Sequence, residues 1–165
     1  VNDAPVNTLP ATYSATKDTA QVLAGISIAD ADTATPASVT IGVDHGVITL
    51  SDIVAGGINA GMIAGNGTGS ITITGATLTQ INNTLADAAG LTYTPTAAYT
   101  GTATLTLTTD DGALTDADTA TITVATITAV AVPITRTFNR RRIRRRWAAI
   151  KIVAHIAINP KIIEV

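Results

Sequence analysis

Thr102-Ala103-Thr104-Leu105-Thr106-Leu107-Thr108-Thr109-Asp110-Asp111-Gly112 is the stretch whose reading decides the fold. Through Thr108 an apolar residue alternates with threonine, so an extended backbone turns the leucines to one face and the hydroxyls to the other. Threonine suits the wet face because its β-branch favours the extended chain while its hydroxyl stays in water. Asp110-Asp111-Gly112 then reads as a turn. The same period of two recurs in Ser38-Val39-Thr40-Ile41-Gly42-Val43, Ile71-Thr72-Ile73-Thr74 and Thr121-Ile122-Thr123-Val124. Further strand candidates are Val6 to Tyr13, Val22 to Ile28, Gly46 to Leu50 and Leu91 to Thr94. Asp, Gly and Pro separate them at the spacing of an antiparallel β-sandwich, so the class is all-β.

One segment departs from this period. Thr77-Leu78-Thr79-Gln80 has the form of a capping box, and Leu78, Ile81 and Leu85 recur at helical spacing. A short helix is predicted over Leu78 to Ala88, with Gly90 as its C-terminal stop. The glycines at 56, 57, 61, 65, 67 and 69 have no Gly-Lys-Ser/Thr ending that would make a phosphate loop, and are expected to form a mobile connection between strands.

Charge divides the chain. Up to Val132 the one cation, Lys17, faces eleven aspartates and no glutamate; from Pro133 onward nine Lys or Arg face Glu164 alone. Residues 6–128 therefore read as one domain, 1–5 as a linker, and 129–165 as an irregular or non-native tail rich in Arg and Ile. The tail has three readings. Six Arg between Arg140 and Arg146 would bind phosphates or an anionic surface. Ile143, Trp147, Ile150 and Ala154 are spaced for an amphipathic helix in a membrane interface, a contact expected only if the tail is genuine. A shifted reading frame accounts for the blocks of Arg and the abrupt change of composition together, and is preferred. On that reading no nucleic acid partner is expected. The absence of Cys removes disulfides and thiolate metal sites.

The ordered phrases Asn2-Asp3-Ala4-Pro5, Ile28-Ala29-Asp30-Ala31-Asp32, Gly46-Val47-Ile48-Thr49-Leu50, Ile81-Asn82-Asn83-Thr84-Leu85, Leu91-Thr92-Tyr93-Thr94-Pro95, Tyr99-Thr100-Gly101 and Asp110-Asp111-Gly112 resemble the cadherin-like tandem repeats of large bacterial surface and secreted adhesins. The resemblance covers residues 1 to about 132. It implies a Greek-key β-sandwich of the cadherin or immunoglobulin-like type, at the cell surface or outside the cell. Such a domain is one of many in series, with neighbouring repeats as partners and calcium commonly stiffening the linkers. After Val124 the chain departs from the pattern, because no second Asn-Asp-Ala-Pro follows.

Topology brings the acids together independently of any family. In a tandem array the chain enters at one pole and leaves at the other, so the last strand, about Asp118 to Val124, runs between them. Its predecessor must end where the chain enters, which puts Asp110, Asp111 and Asp116 there, with Asp118 at the start of the last strand. The first strand leaves that pole and the second returns to it, bringing Asp30 and Asp32 alongside Asp3. Calcium takes six to eight oxygens, and a cluster of seven carboxylates with no nearby cation repels itself without one. The plainer reading is that Asp is common in turns because its side chain accepts from nearby backbone N–H groups.

Catalysis has little support. His45 reads as a turn residue and His155 lies in the tail, so no histidine pair stands at metal or triad spacing. A glycosidase pair would need a cleft that exposed turns do not supply, so the chain is not expected to be an enzyme. The expected role is a structural spacer; the alternative is a module that binds a glycan or another cell-surface ligand at one pole.

Overall fold

A computed structural model describes residues 1–127; the tail expected over 129–165, with its three readings, lies outside them. The described residues belong to one compact unit, Val1–Ala129. Eleven strands run in chain order: β1 (Val6–Thr8), β2 (Thr12–Thr16), β3 (Gln21–Val22), β4 (Ser27–Ala29), β5 (Ser38–Val43), β6 (Gly46–Leu50), β7 (Ile63–Ala64), β8 (Ser70–Ile73), β9 (Leu91–Pro95), β10 (Gly101–Asp110) and β11 (Thr115–Ala125). Among the described residues one α-helix, α1 (Leu78–Ala86), lies between β8 and β9.

The strands form three sheets, in the orders β2-β11-β10-β5-β8-β7, β3-β9-β6 and β1-β4. All pairings are antiparallel except β2 with β11, which run parallel. The deciding stretch behaves as its alternation requires: Ala103, Leu105 and Leu107 are buried, while Thr102, Thr104 and Thr106 face water. Facing Val39, Ile41, Ile71, Ile73, Ile122 and Val124 of the same sheet, Ile48, Leu50, Leu91 and Tyr93 of the smaller one complete a continuous apolar interior. With 3 % aromatic residues in the chain, that interior is aliphatic apart from Tyr93.

Two expected strands are each divided. Val6 to Tyr13 becomes β1, paired with β4, and β2, paired with β11. Val22 to Ile28 becomes β3, paired with β9, and β4. Pro10, which has no N–H to offer a ladder, marks the first break. Gly25, at φ +82°, marks the second, and a Cβ there would meet the Pro10 ring at 3.1 Å. The chain thus changes sheets twice at neighbouring points.

The helix forms where the capping box places it. Thr77 Oγ1 accepts from Gln80 N and Gln80 Oε1 accepts from Thr77 N. Ile81, Thr84 and Leu85 are buried. The cap at its far end is Asp87 in extended conformation, and Gly90 acts by size instead of by a left-handed turn: a Cβ there would lie 1.7 Å from the Thr84 carbonyl oxygen.

The glycine-rich connection is more ordered than its composition suggests. It contains a 3₁₀ turn at Ala60–Met62, strand β7 and the fully buried Ile58. Asn66 fastens it to β6 by accepting from Leu50 N at 2.8 Å and donating to Leu50 O at 2.9 Å. Asn82 of α1 does the same for β4, accepting from Ile28 N at 2.9 Å and donating to Ile28 O at 2.8 Å. Two side-chain amides therefore stand in for missing strand partners.

Candidate functional site: an acidic pole

The strand directions collect three segments at one end of the sandwich. β10 ends at Asp110 opposite Ser38, the first residue of β5, and β11 begins at Thr115 opposite Asp110. β4 ends at Ala29 opposite Val6, the first residue of β1. Residues 1–5, the 30–37 loop and the 111–114 hairpin turn therefore share this pole. The helix holds the 30–37 loop from both sides, through Asn82 on Ile28 and through Leu78 N, which donates to Ala34 O at 2.8 Å.

Three acids, Asp30, Asp110 and Asp111, use one carboxylate oxygen on local backbone. Asp30 Oδ1 accepts from Asp32 N at 3.0 Å and Thr33 N at 2.9 Å. Asp111 Oδ1 accepts from Ala113 N and Leu114 N, both at 2.7 Å, and Asp110 Oδ1 from Gly112 N at 2.7 Å. These are the bonds that make Asp a turn former. Oxygens of Asp111, Asp32 and Asp116 bond the N-terminal segment. Asp111 Oδ2 accepts from Asn2 Nδ2 at 2.8 Å, Asp32 Oδ2 from Asp3 N at 3.1 Å, and Asp116 Oδ2 from Asn7 N at 2.7 Å.

Asp30 Oδ2 is different. It is sealed from solvent with no hydrogen-bond partner, the one such side-chain atom among the described residues. It sits beside an open depression of about 320 Å³ between residues 30–34 and Leu78-Thr79. The Thr33 amide leads in holding the Asp30 carboxyl below the usual carboxylate range, helped by Asp32, while burial and the charge of Asp111 push it up. The Leu114 amide, then Asn2 and the Ala113 amide, lower Asp111 against a smaller effect of burial.

Of the seven predicted residues, Asp3, Asp30, Asp32, Asp111 and Asp116 are joined through these contacts. Asp110 stands at the end of β10, bonded to its own turn. Asp118 lies farther along β11, opposite Leu107. Among the described residues no three His, Cys, Asp or Glu side chains are grouped closely enough to hold a metal ion. Asp3 and Asp32 are exposed and sit on loops, so their side chains have room to turn.

Asn7 belongs to the pole and was not singled out by sequence. It is buried, donates from Nδ2 to Asp116 O at 2.9 Å, and accepts at Oδ1 from Thr109 Oγ1 at 2.7 Å. Polar on an inward-facing position of β1, it ties the first strand to β10 and β11. At the opposite pole His45 occupies the β5–β6 turn, as expected, and its ring stacks on Tyr99 at 4.3 Å. Lys17 is also there, 3.7 Å from Asp18 and bonded through its backbone N–H to Ala125 O at the end of β11.

Searches against family profiles, curated proteins and solved structures return no match to this chain.

Proposed function

We propose that residues 1–127 form a Greek-key, cadherin-like β-sandwich that serves as a spacer repeat in an extracellular or cell-surface adhesin-type protein. The acidic pole would stiffen the junction with a preceding repeat. The fold part of this reading is supported by the first strand, whose halves pair with different sheets, and by the parallel pairing of its second half with the last strand. The functional part is carried by one observation: the N-terminal segment is bonded to carboxylates of three separate elements, Asp32, Asp111 and Asp116. A linker held by acids at its root sets the direction in which the preceding chain leaves.

The donors of the pole are of the type that calcium, a hard cation, takes, and loop side chains would have to turn to bring them together. Asp30, with an Oδ2 that lacks a donor, would be the anchor, and Asp3 and Asp32, exposed on loops, would complete the set by turning their side chains, with Asp111 joining if it gives up Asn2; Asp110, Asp116 and Asp118 would supply negative field. A bound cation would supply charge neutralisation between the linker and the two loops. Thermal melting in millimolar calcium and in chelator tests this. A ligand that binds only the folded chain stabilises it by about 2.7 kcal/mol at a hundredfold excess over Kd, so the midpoint should rise by several degrees. Superimposable curves, also for two copies joined in tandem through residues 1–5, would remove calcium from the mechanism. A glycan-binding module would instead use the opposite pole around His45 and Tyr99, and a loss of sugar binding on His45→Ala would favour that reading.

A further inference from the structure

We infer that Asn66 is a site of spontaneous covalent modification, deamidation through a cyclic imide with Gly67, and that its clamp on Leu50 gates the reaction. No other asparagine in the sequence is followed by glycine. In the reaction the Gly67 backbone nitrogen attacks Asn66 Cγ. A Cγ–N bond forms, the Cγ–Nδ2 bond breaks, and Nδ2 leaves as ammonia with the Gly67 amide proton. Water then opens the imide at either carbonyl, giving aspartate or isoaspartate. The net change is gain of one water and loss of one ammonia, with no oxidant or reductant. Gly67 has no side chain to hinder ring closure, and both residues are exposed.

The fold holds both reacting groups away from that geometry. Asn66 Oδ1 accepts from Leu50 N, Asn66 Nδ2 donates to Leu50 O, and Gly67 N donates to Ile48 O at 2.9 Å. Thr68 closes the strap: its carbonyl accepts from Ile48 N at 2.8 Å, and its hydroxyl donates to Gly65 O at 2.7 Å or Ser70 O at 2.8 Å. Ring closure therefore requires residues 66–68 to leave the edge of β6. Once the imide has opened, they cannot return unchanged. Aspartate keeps an acceptor for Leu50 N but sets a carboxylate oxygen against Leu50 O, and isoaspartate adds a methylene to the backbone and shifts Gly67 and Thr68 off Ile48. Because β6 is the outer strand of its sheet, the product leaves Ile48 and Leu50 with open backbone groups, a template for pairing with another chain. Conversion at Asn66 thus accumulates irreversibly with the time the strap spends open. This inference stands independently of the spacer reading.

The test is peptide mapping of the 165-residue protein after incubation at neutral pH and 37 °C, folded and in denaturant, with aspartate and isoaspartate quantified at every asparagine. Expected is conversion concentrated at Asn66 and at least roughly tenfold slower in the folded protein, the factor that an opening free energy of about 1.4 kcal/mol imposes. Thr68→Ala, which loosens the strap and leaves Asn66-Gly67 intact, should raise the folded-state rate several-fold without changing the rate in denaturant. Asn66→Asp should speed hydrogen exchange at Ile48 and Leu50 and leave Ile28, held by Asn82, unchanged. Equal rates in the folded and denatured protein, or no effect of Thr68→Ala on the folded rate, would overturn the gate. Conversion concentrated at another asparagine, or none at Asn66 in denaturant, would overturn the site.

Discussion

Replacing Asn82 by alanine tests whether a side-chain amide can do the work of a strand. Ile28 is 2 % exposed, and its own N–H and C=O are both satisfied by Asn82, at 2.9 and 2.8 Å. Truncation removes both partners and leaves two buried polar groups, each costing about 1–3 kcal/mol when unsatisfied. Alanine returns about 0.5 kcal/mol or slightly more, because asparagine is a poorer helix residue and position 82 lies inside α1. Water reaching the vacated volume would recover part of the loss. The balance is a destabilisation of about 2–3 kcal/mol, a large share of the 5–15 kcal/mol typical of a domain. With a urea m-value of about 1–3 kcal/mol/M, the unfolding midpoint should fall by about 0.7–3 M at unchanged m.

The control is its neighbour. Asn83 donates a single bond from Nδ2 to Gly56 O in an exposed setting, so Asn83→Ala should stay within about 0.5 kcal/mol of the parent. Hydrogen exchange adds a local readout: Ile28 N–H should lose protection in Asn82→Ala and keep it in Asn83→Ala. Equal stability of the two variants, or an Asn82→Ala midpoint matching the parent, would refute the idea that the amide replaces a ladder partner. The same result would also loosen the argument for the acidic pole, since Asn82 fixes the strand that leads into Asp30.

Other consequences follow from single positions. Burial raises the Asp44 carboxyl, but the bonds from Thr104, whose N–H donates to Oδ1 at 2.8 Å, and the nearby His45 together leave it below its ordinary value. A depressed folded-state value contributes stability above the unfolded value and loses it as pH falls, so stability should decline below about pH 4, and Asp44→Asn should flatten that limb in acid unfolding. Gly90→Ala would drive a Cβ into the Thr84 carbonyl, whereas Gly75→Ala meets nothing within 4 Å and bears only the cost of φ +70°. Urea unfolding should therefore show about 1 kcal/mol lost at Gly75 and several at Gly90 or no folding at all; equal losses would contradict the steric assignment. A chain ending after Thr128 should match the full protein within about 0.5 kcal/mol, because the described residues up to Val124 already build a continuous apolar interior; failure to fold would assign the tail a structural part.

Much of the β-structure was legible because its signal is local. β5, β6, β9 and β10 each carry their own alternation, and Thr77 with Gln80 fixes the start of α1 within four residues. What was not legible depends on distant partners. Nothing near Pro10 or Gly25 states that the two flanking segments will change sheets together; that follows only when both strands are in place. Asn66 and Asn82 look like ordinary polar residues of a loop and a helix, and their roles exist only relative to Leu50 and Ile28. Asn7 defeats the alternation rule: Val6 is 57 % exposed and Asn7 is buried, the reverse of their polarities. The buried amide is tolerated because Thr109, Leu107 and Asp116 supply its partners.

The acids show why a site is harder to read than a fold. Strand directions suffice to bring Asp3, Asp30, Asp32, Asp111 and Asp116 to one pole, but both the turn-forming and the ligand reading place them there. The distinction lies in the second oxygen of each carboxylate. For Asp32, Asp111 and Asp116 that oxygen accepts from Asp3 N, Asn2 Nδ2 and Asn7 N, so these residues already hold the N-terminal segment as hydrogen-bond acceptors. For Asp30 it has no donor in reach, while its Oδ1 is committed to the Asp32 and Thr33 amides. A sealed carboxylate oxygen without a donor is unfavourable by itself, and Asp111 adds like charge to it. A cation at Asp30 would relieve both costs directly, whereas the turn amides on Oδ1 offset them while leaving Oδ2 without a partner. Asp30 is therefore the residue at which the two readings part, and Asp30→Asn, which keeps the turn acceptor but lowers the charge, is the substitution that separates them.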